Sequence, residues 1–597
     1  MDINAPWLAS YGDVPHSLDY PDCSMAALVL KTAEAYPKHV AYDFFGRKQG
    51  YAGFAEEIRL CARGLKALGI ERGQRVTICM PNTPQAVIML YALNLIGAVA
   101  CMIHPLSAQG EIARYLSGNR SVAALTLDQF AQKLLEVIPG TGVKTLILAG
   151  IDDGLGGIAK PLYRLTKGRG IVRRPTGGGV MRYADLMRLG RGHRVDGGEG
   201  GAGNAGNAGD EGGAHDSPPA LRHDDCDAQT RGGDVAVILY SGGTSGATKG
   251  ILLTNLNFNA LAMQTMASGD CVEAGRKMLA IMPVFHGFGL GVCIHTAFIS
   301  GVEAILVPQF SIHSYAQLLA KHKPHYIAGV PTLYSALLRL DNIHKLDMSQ
   351  LMGVFSGGDS LSVELKRKVD AFLRERGASV QVREGYGLTE CVTASCLTPR
   401  DFHKEGSIGI PYPDTFYKIV RRDTTEEAPY GEEGEITISG PTVMKSYDGD
   451  DEETARALRR HADGRTWLHT GDLGAMDEDG FVYFRQRIKR MIISSGYSIY
   501  PSQIENVLES HENVLISCVI GVPDEYKVQR LKAFVVLRGG AEPTDEIKAS
   551  IKEHCKRNIA KYAMPSEFEY RADLPRTLVG KVAYIELEKE ELLRSNV

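Results

Sequence analysis

Residues Ser241–Gly250 read SGGTSGATKG. Glycine, small hydroxyl residues and one lysine are compressed into a single loop. The flanks say what the loop joins. Asp234–Tyr240, DVAVILY, is a short β-branched run that predicts a buried strand. GILLTNLNFNALA follows, which predicts a second strand and then a helix with Asn255 as its cap. A Gly/Ser/Thr loop at a strand end can ring an anion with backbone N–H groups, and Lys249 adds a cation. It is not a Walker A loop: Lys249 lies between Thr248 and Gly250, so the glycine spacing fails and the hydroxyl after the lysine is missing.

Working outward, helical and strand patterns alternate through most of the 597 residues. YAGFAEEIRLCARGLKALGI has helical periodicity, and RVTICM reads as a strand. TAFISGVEAILVP and LLAKHKPHYIAGVP repeat the helix-to-strand passage. This is an α/β pattern with buried sheets, in more than one domain. Near residue 488 the character shifts to a shorter α+β stretch with strands VLISCVIGV and LKAFVVL and the helix TDEIKASIKEHCKRNIA. We therefore expect a large N-terminal domain of stacked α/β sheets over 1–488 and a small mobile C-terminal domain over 489–597.

One insertion, 155–233, breaks the pattern. Nine of the 21 residues Asp196–Asp216 are glycine, a composition that predicts a flexible tract. Just before it, Lys160–Arg194 holds ten Lys/Arg and one acid, Asp185. It reads either as a solvated basic face or as a weak peripheral contact with an anionic membrane.

Composition narrows the function classes. Hydrophobic content is 44%, charged content 23% and net charge −4, which suits large cores and gives no nucleic-acid signal. The eleven cysteines are scattered without a C-x-x-C pair, which points to reduced thiols and a cytoplasmic setting. The N-terminus MDINAPWLASYGD lacks the basic and apolar regions of a secretory signal. The longest apolar run, VIMLYALNLIGAVACMI (Val87–Ile103), is interrupted by Asn94 and Gly97 and reads as a buried helix followed by a strand.

Three further motifs follow the loop in order: REGYGLTE (Arg383–Glu390), HTGDLG (His469–Gly474), read as a tight turn, and PRTLVGK (Pro575–Lys581). Together with the loop they resemble the acyl-adenylate-forming superfamily, which includes acyl-CoA synthetases, the adenylation domains of peptide synthetases and beetle luciferases. The resemblance covers nearly the whole chain outside 155–233.

It implies ATP, Mg²⁺ and CoA as ligands and a set of roles. Ser241, Gly243, Thr244, Ser245, Gly246 and Lys249 would surround the ATP phosphates. Tyr386 would stack on adenine beside Gly387, and Thr389 would touch the phosphates. Glu390, with Thr244, would hold Mg²⁺. In Ser356–Ser360, SGGDS, residues Gly357, Gly358 and Asp359 would line the adenine and acyl pockets, with Gly329 also on the acyl side. Asp472 and Arg487 would bind the ribose, Lys489 would be the hinge, and Lys581 the lysine of adenylation.

The resemblance also narrows the acyl class. Amino-acid-activating relatives carry an aspartate where MPVFHGFGL (Met282–Leu290) has His286. The form is similar to fatty acyl-CoA synthetases, with an apolar carboxylic acid as substrate and His286 as a candidate pocket gate. Transfer to a separate carrier protein stays open as an alternative acceptor. A non-catalytic nucleotide-binding scaffold is disfavoured by the retention of Glu390, Asp472, Arg487 and Lys581. Thr248, Gln486, Arg490, Gln529 and Arg530 depart from the usual pattern.

Overall fold

The structure is a computed structural model. It describes residues 4–156, 160, 163, 165, 178–192, 230–240, 249–339, 346–494, 497–524, 528–577 and 581–595. Two large sheets form the N-terminal part. The first has eight strands, in the order Ser446–Tyr447, Gly250–Thr254, Val235–Tyr240, Val99–Met102, Arg75–Cys79, Ala123–Leu127, Thr145–Ala149 and Val180–Arg182. From Val235–Tyr240 to Val180–Arg182 all neighbours are parallel, while Gly250–Thr254 and Ser446–Tyr447 extend the sheet antiparallel. The second has nine strands, and Val382–Tyr386, Gly353–Ser356 and Tyr326–Gly329 run parallel in it. One continuous core of buried side chains runs through both.

The apolar run at Val87–Ile103 resolves as expected, into the helix Pro84–Leu95 and the strand Val99–Met102. Thr83 caps the helix by accepting from Ala86 N–H, and all 12 helical positions are buried. The helix is apolar all round because it is enclosed by protein on every side. Among the described residues no helix is long and apolar enough to cross a membrane.

Two expectations are corrected here. The helix after the loop, Asn255–Gly269, is capped by Thr254, whose side chain accepts from Asn257 N–H. Asn255 is committed elsewhere, its Oδ1 accepting from Met25 N–H at 3.1 Å and from the Asn94 amide at 2.6 Å. Within the insertion, 178–192 is folded. Val180–Arg182 adds to the sheet edge beside Thr145–Ala149, and the helix Tyr183–Leu189 lies against Tyr51–Ala67, with Arg63 Nε donating to Gly190 O at 3.0 Å. Tyr183 and Leu186 are buried and supply the apolar contacts of this segment.

A third sheet carries Phe416–Val420, Gly434–Ser439, Thr466–Met476, Leu458–Arg460 and Val482–Arg487. From Arg487 the chain passes over Ile488–Met491 into a C-terminal sheet built on Val514–Asp524 and Val528–Leu537. That sheet buries a cluster on each face, one around Ile504, Val519 and Ile551 and the other around Cys518, Phe534 and Leu587.

Candidate active site

The motif HTGDLG sits inside an 11-residue strand, Thr466–Met476, as a bulge and not as a free turn. The bulge presents Asp472, which is buried, and its register partner on the next strand is Arg487. Tyr386, at the end of Val382–Tyr386, donates its hydroxyl to Asp472 Oδ2 at 2.6 Å, and Arg487 Nε stands 3.5 Å from Oδ1. Asp472 Oδ1 is buried with no hydrogen-bond donor among the described residues. Burial raises the carboxyl above its ordinary pKa, and the charge of Arg487 and the tyrosine bond act in the opposite direction. The Tyr386 ring tilts against Phe484 at 5.8 Å between centroids.

A second group lies at the antiparallel edge. Glu390 follows Thr389 in a short 3₁₀ turn, and its Oε1 accepts from the Tyr447 hydroxyl at 2.9 Å. Tyr447 arrives because Ser446–Tyr447 pairs with Gly250–Thr254, the strand that leaves the glycine-rich loop. Lys249 stands over the Tyr447 ring, 5.0 Å from its centroid, and is ion-paired to Glu453. The lysine of the loop and the carboxylate of GYGLTE therefore share one tyrosine.

The C-terminal domain closes a third side. Gly357 N–H donates to Gly329 O at 3.2 Å, joining the ends of two parallel strands. Gly358 takes φ +82°, a conformation glycine adopts without strain, and a Cβ there would lie 3.9 Å from Lys581 Cε. Asp359 is exposed beside it. Burial pushes the Lys581 ammonium below its ordinary pKa, while Asp359 and Asp472 hold it up and Arg487 adds to the depression. His286 precedes a wholly buried π-helix, Phe288–His295, and its Nδ1 accepts from Phe288 N–H at 3.2 Å. Burial, then the Lys581 charge, lowers the imidazole to about 3.

Thus Gly329, Gly357, Gly358, Asp359, His286, Tyr386, Gly387, Thr389, Glu390, Lys249, Asp472, Arg487 and Lys581 come from eight separated stretches of sequence, and Asp472, Arg487, Tyr386, Gly358 and Lys581 among them are joined by the contacts above. Lys489 lies exposed in the turn Ile488–Arg490. Ser241, Gly243, Thr244, Ser245 and Gly246 lie outside the described residues. Tyr447 and Glu453 carry no motif; strand pairing brings in Tyr447, and the helix Asp451–Ala457 that follows brings Glu453 to Lys249. Gln486, beside Arg487, has both amide atoms buried without a partner among the described residues.

Residues 29–448 match the AMP-binding enzyme family, and residues 503–581 match the AMP-binding enzyme C-terminal domain. The chain belongs to the AMP-binding enzyme family. It is 33% identical, over 99% of both chains, to a long-chain-fatty-acid–CoA ligase of Bacillus subtilis, and 30% identical over 98% of both to one of Yersinia pestis. Among solved structures it is similar in fold to an anthranilate CoA ligase in complex with anthranoyl-AMP (TM-score 0.79, 20% identity, covering 98% of this chain and 100% of that one). It is also similar in fold to a long-chain-fatty-acid–CoA ligase from Archaeoglobus fulgidus (TM-score 0.65, 23% identity, 93% and 98% covered).

Proposed function

We propose that this chain is an AMP-forming acid–CoA ligase that activates a fatty acid in two half-reactions. In the first, a carboxylate oxygen of the acid attacks the α-phosphorus of ATP and pyrophosphate leaves. In the second, the CoA sulfur attacks the acyl carbon, its proton is lost and AMP leaves. The observation that carries the reading is the Asp472 carboxylate, one oxygen tied to Tyr386 and the other buried and undonated. A ribose hydroxyl supplies the missing donor, with Arg487 alongside.

Around that anchor the rest follows by charge. Both reactants of the first step are anionic, so positioning and cations dominate its rate. Lys581, reaching past Gly358, holds an ammonium where the carboxylate and α-phosphate meet. Its depressed pKa reflects a dry setting, in which its charge acts strongly. We assign Lys249 to the phosphate end, the role the family resemblance also gives Thr244 and Ser245.

Glu390 fits a Mg²⁺ ion that arrives with ATP. Thr244 of the loop is its partner ligand in this reading, and phosphate oxygens and water complete the shell, the ordinary arrangement for this ion. When bound, Mg²⁺ neutralises charge on the phosphates.

The fatty character of the acid is supported by the names of the curated relatives and by the buried π-helix behind His286, whose Phe288, Leu290, Val292 and Ile294 offer no charge. We place the boundary of the moving C-terminal domain at Lys489, which withdraws Lys581 for the second half-reaction. For the basic segment Lys160–Arg194 two readings stand, a solvated basic face and a weak contact with an anionic lipid surface. That contact is smaller than its sequence suggests, because Arg182 and Arg188 are both spent on Asp185, at 2.9 and 2.7 Å.

The test is pyrophosphate release over a panel of fatty, aryl and amino acids, with and without CoA. Release with long-chain acids, and thioester formation on adding CoA, are expected. Release without thioester formation makes a carrier protein the acceptor. No release with any acid overturns the reading.

A further inference from the structure

The strand Thr466–Met476 leaves register beside Glu435. His469 pairs with Thr437 and Leu473 with Glu435, so Thr470, Gly471 and Asp472 together face the single residue Ile436. Gly471 takes φ +69° at the crest. A bulge of this kind removes backbone groups from the ladder, and groups so removed need other partners when buried. Thr470 Oγ1 donates to Ile436 O at 2.7 Å and accepts from Asp472 N–H at 3.1 Å. Gly471 N–H donates to Glu435 Oε1 at 2.9 Å.

The second oxygen of that carboxylate continues the network. Glu435 Oε2 accepts from His469 Nδ1 at 2.8 Å, and His469 Nε2 meets His461 Nε2 at 3.0 Å. All three side chains are buried. Because a carboxylate only accepts, His469 presents Nδ1–H to Glu435, and in that tautomer its Nε2 faces His461 Nε2–H as an acceptor. His461 Nδ1 is buried without a partner among the described residues, as fits the unprotonated nitrogen of that tautomer. The His461 ring is stacked on Trp467 at 5.5 Å and 21°. The other charges facing the group are Arg459 and the Lys418–Asp463 pair, closed at 2.6 Å. The two half-reactions use none of these three residues, yet they converge on the residue next to Asp472.

We propose that Glu435, backed by His469 and His461, is a positioning residue that fixes the bulge and thereby aims the free oxygen of Asp472 at the ribose. The proposal rests on reading Asp472 as the ribose carboxylate. Substitution of Glu435 leaves Gly471 N–H without its acceptor, or inverts the tautomers of both histidines. Either change lets the crest relax and the Asp472 oxygen drift from the hydroxyls it must meet.

The test compares ATP with dideoxy-ATP, which lacks both ribose hydroxyls, binding to the full chain by calorimetry at neutral pH. The wild type prefers ATP by about tenfold or more, as expected for hydrogen bonds to a charged group. Asp472→Asn removes that preference. Glu435→Ala and the isosteric Glu435→Gln each bring it within about threefold, with dideoxy-ATP affinity changed by less than about twofold. If Glu435→Ala does not fold, as judged by circular dichroism, Glu435→Gln decides alone. A preference lost in Asp472→Asn but kept in the Glu435 variants overturns the relay and leaves the ribose reading standing. Equal weakening of both nucleotides in the Glu435 variants also overturns it, since that marks a general structural defect. A wild type with no preference overturns the ribose reading, and the relay with it.

Discussion

The Tyr386 hydroxyl and Asp472 Oδ2, 86 residues apart, share a 2.6 Å hydrogen bond between a strand end of the nine-stranded sheet and the bulge of the third sheet. The bond joins two layers and leaves one oxygen of a buried carboxylate to accept from elsewhere. Tyr386→Phe removes the donor and keeps the ring against Phe484. A hydrogen bond to a charged group contributes about 1.5–3 kcal/mol, so stability falls by an amount of that order. ATP affinity falls too, because the carboxylate loses its orientation. Urea unfolding and ATP calorimetry check both effects; wild-type values in both would remove the bond from any role.

Lys581→Ala separates the half-reactions. The ammonium lies beside Gly358, and the proposed function assigns it to the first step alone. Loss of one preorganised charged or polar group costs on the order of 10²–10³ in rate. Pyrophosphate exchange therefore collapses while thioester formation from supplied acyl-adenylate survives. Exchange within about threefold of wild type contradicts the role.

How much of this was legible in the sequence differs by element. The α/β alternation was, because buried parallel strands are short and β-branched and the helix Tyr51–Ala67 keeps a regular apolar face. The burial of Pro84–Leu95 was also legible, since Asn94 and Gly97 interrupt a run at the short edge of membrane-spanning length. The motifs name Tyr386, Glu390, Asp472 and Lys581 as candidates, and the family resemblance adds Arg487. The motifs do not contain Tyr447 and Glu453: Tyr447 joins the site through the pairing of Ser446–Tyr447 with Gly250–Thr254, made across roughly two hundred residues, and Glu453 through the helix Asp451–Ala457 that follows. The Glu435–His469 contact is hidden for the same reason: register depends on a bulge, and no local propensity encodes which carboxylate will face it. Asn255 and Thr254 are equally good caps by composition, and only the competing bonds from Asn255 to Met25 and Asn94 decide between them.

Acid should weaken the fold through its buried histidines. His295, fully buried between the Tyr91 hydroxyl and Asn259, is lowered by burial to about 3, and His461 to about 4. In the unfolded chain both take up protons near the ordinary value of about 6.5. Between the folded and unfolded values the unfolded state binds more protons, so stability rises with pH. Their contribution is fully present above about pH 6.5 and is lost as pH falls toward about 4. His295→Gln, which keeps a donor for Asn259 without a titrating ring, should flatten the slope of the urea midpoint over that window. An unchanged slope means His295 titrates normally in the folded state.

Lys249 is held by Glu453 in this structure, and the proposed function gives the same ammonium to the ATP phosphates. Their hydrogen bond, with burial opposing it, keeps the Glu453 carboxyl below its ordinary pKa. The pair is only partly shielded, each side chain being 27% exposed, so its strength is moderate and sensitive to salt. A nucleotide must displace Glu453 before Lys249 can meet a phosphate. Glu453→Gln removes the competing charge and keeps the shape of the helix Asp451–Ala457. ATP should then bind about two- to fivefold tighter at low salt, the range of a partly exposed ion pair, and the gain should shrink as salt rises. Lys249→Ala should abolish the difference between Glu and Gln at position 453. ATP calorimetry on the four proteins, at low and high salt, closes the cycle. Weaker binding in Glu453→Gln would mean that the carboxylate holds Lys249 in place for the phosphate and does not compete with it.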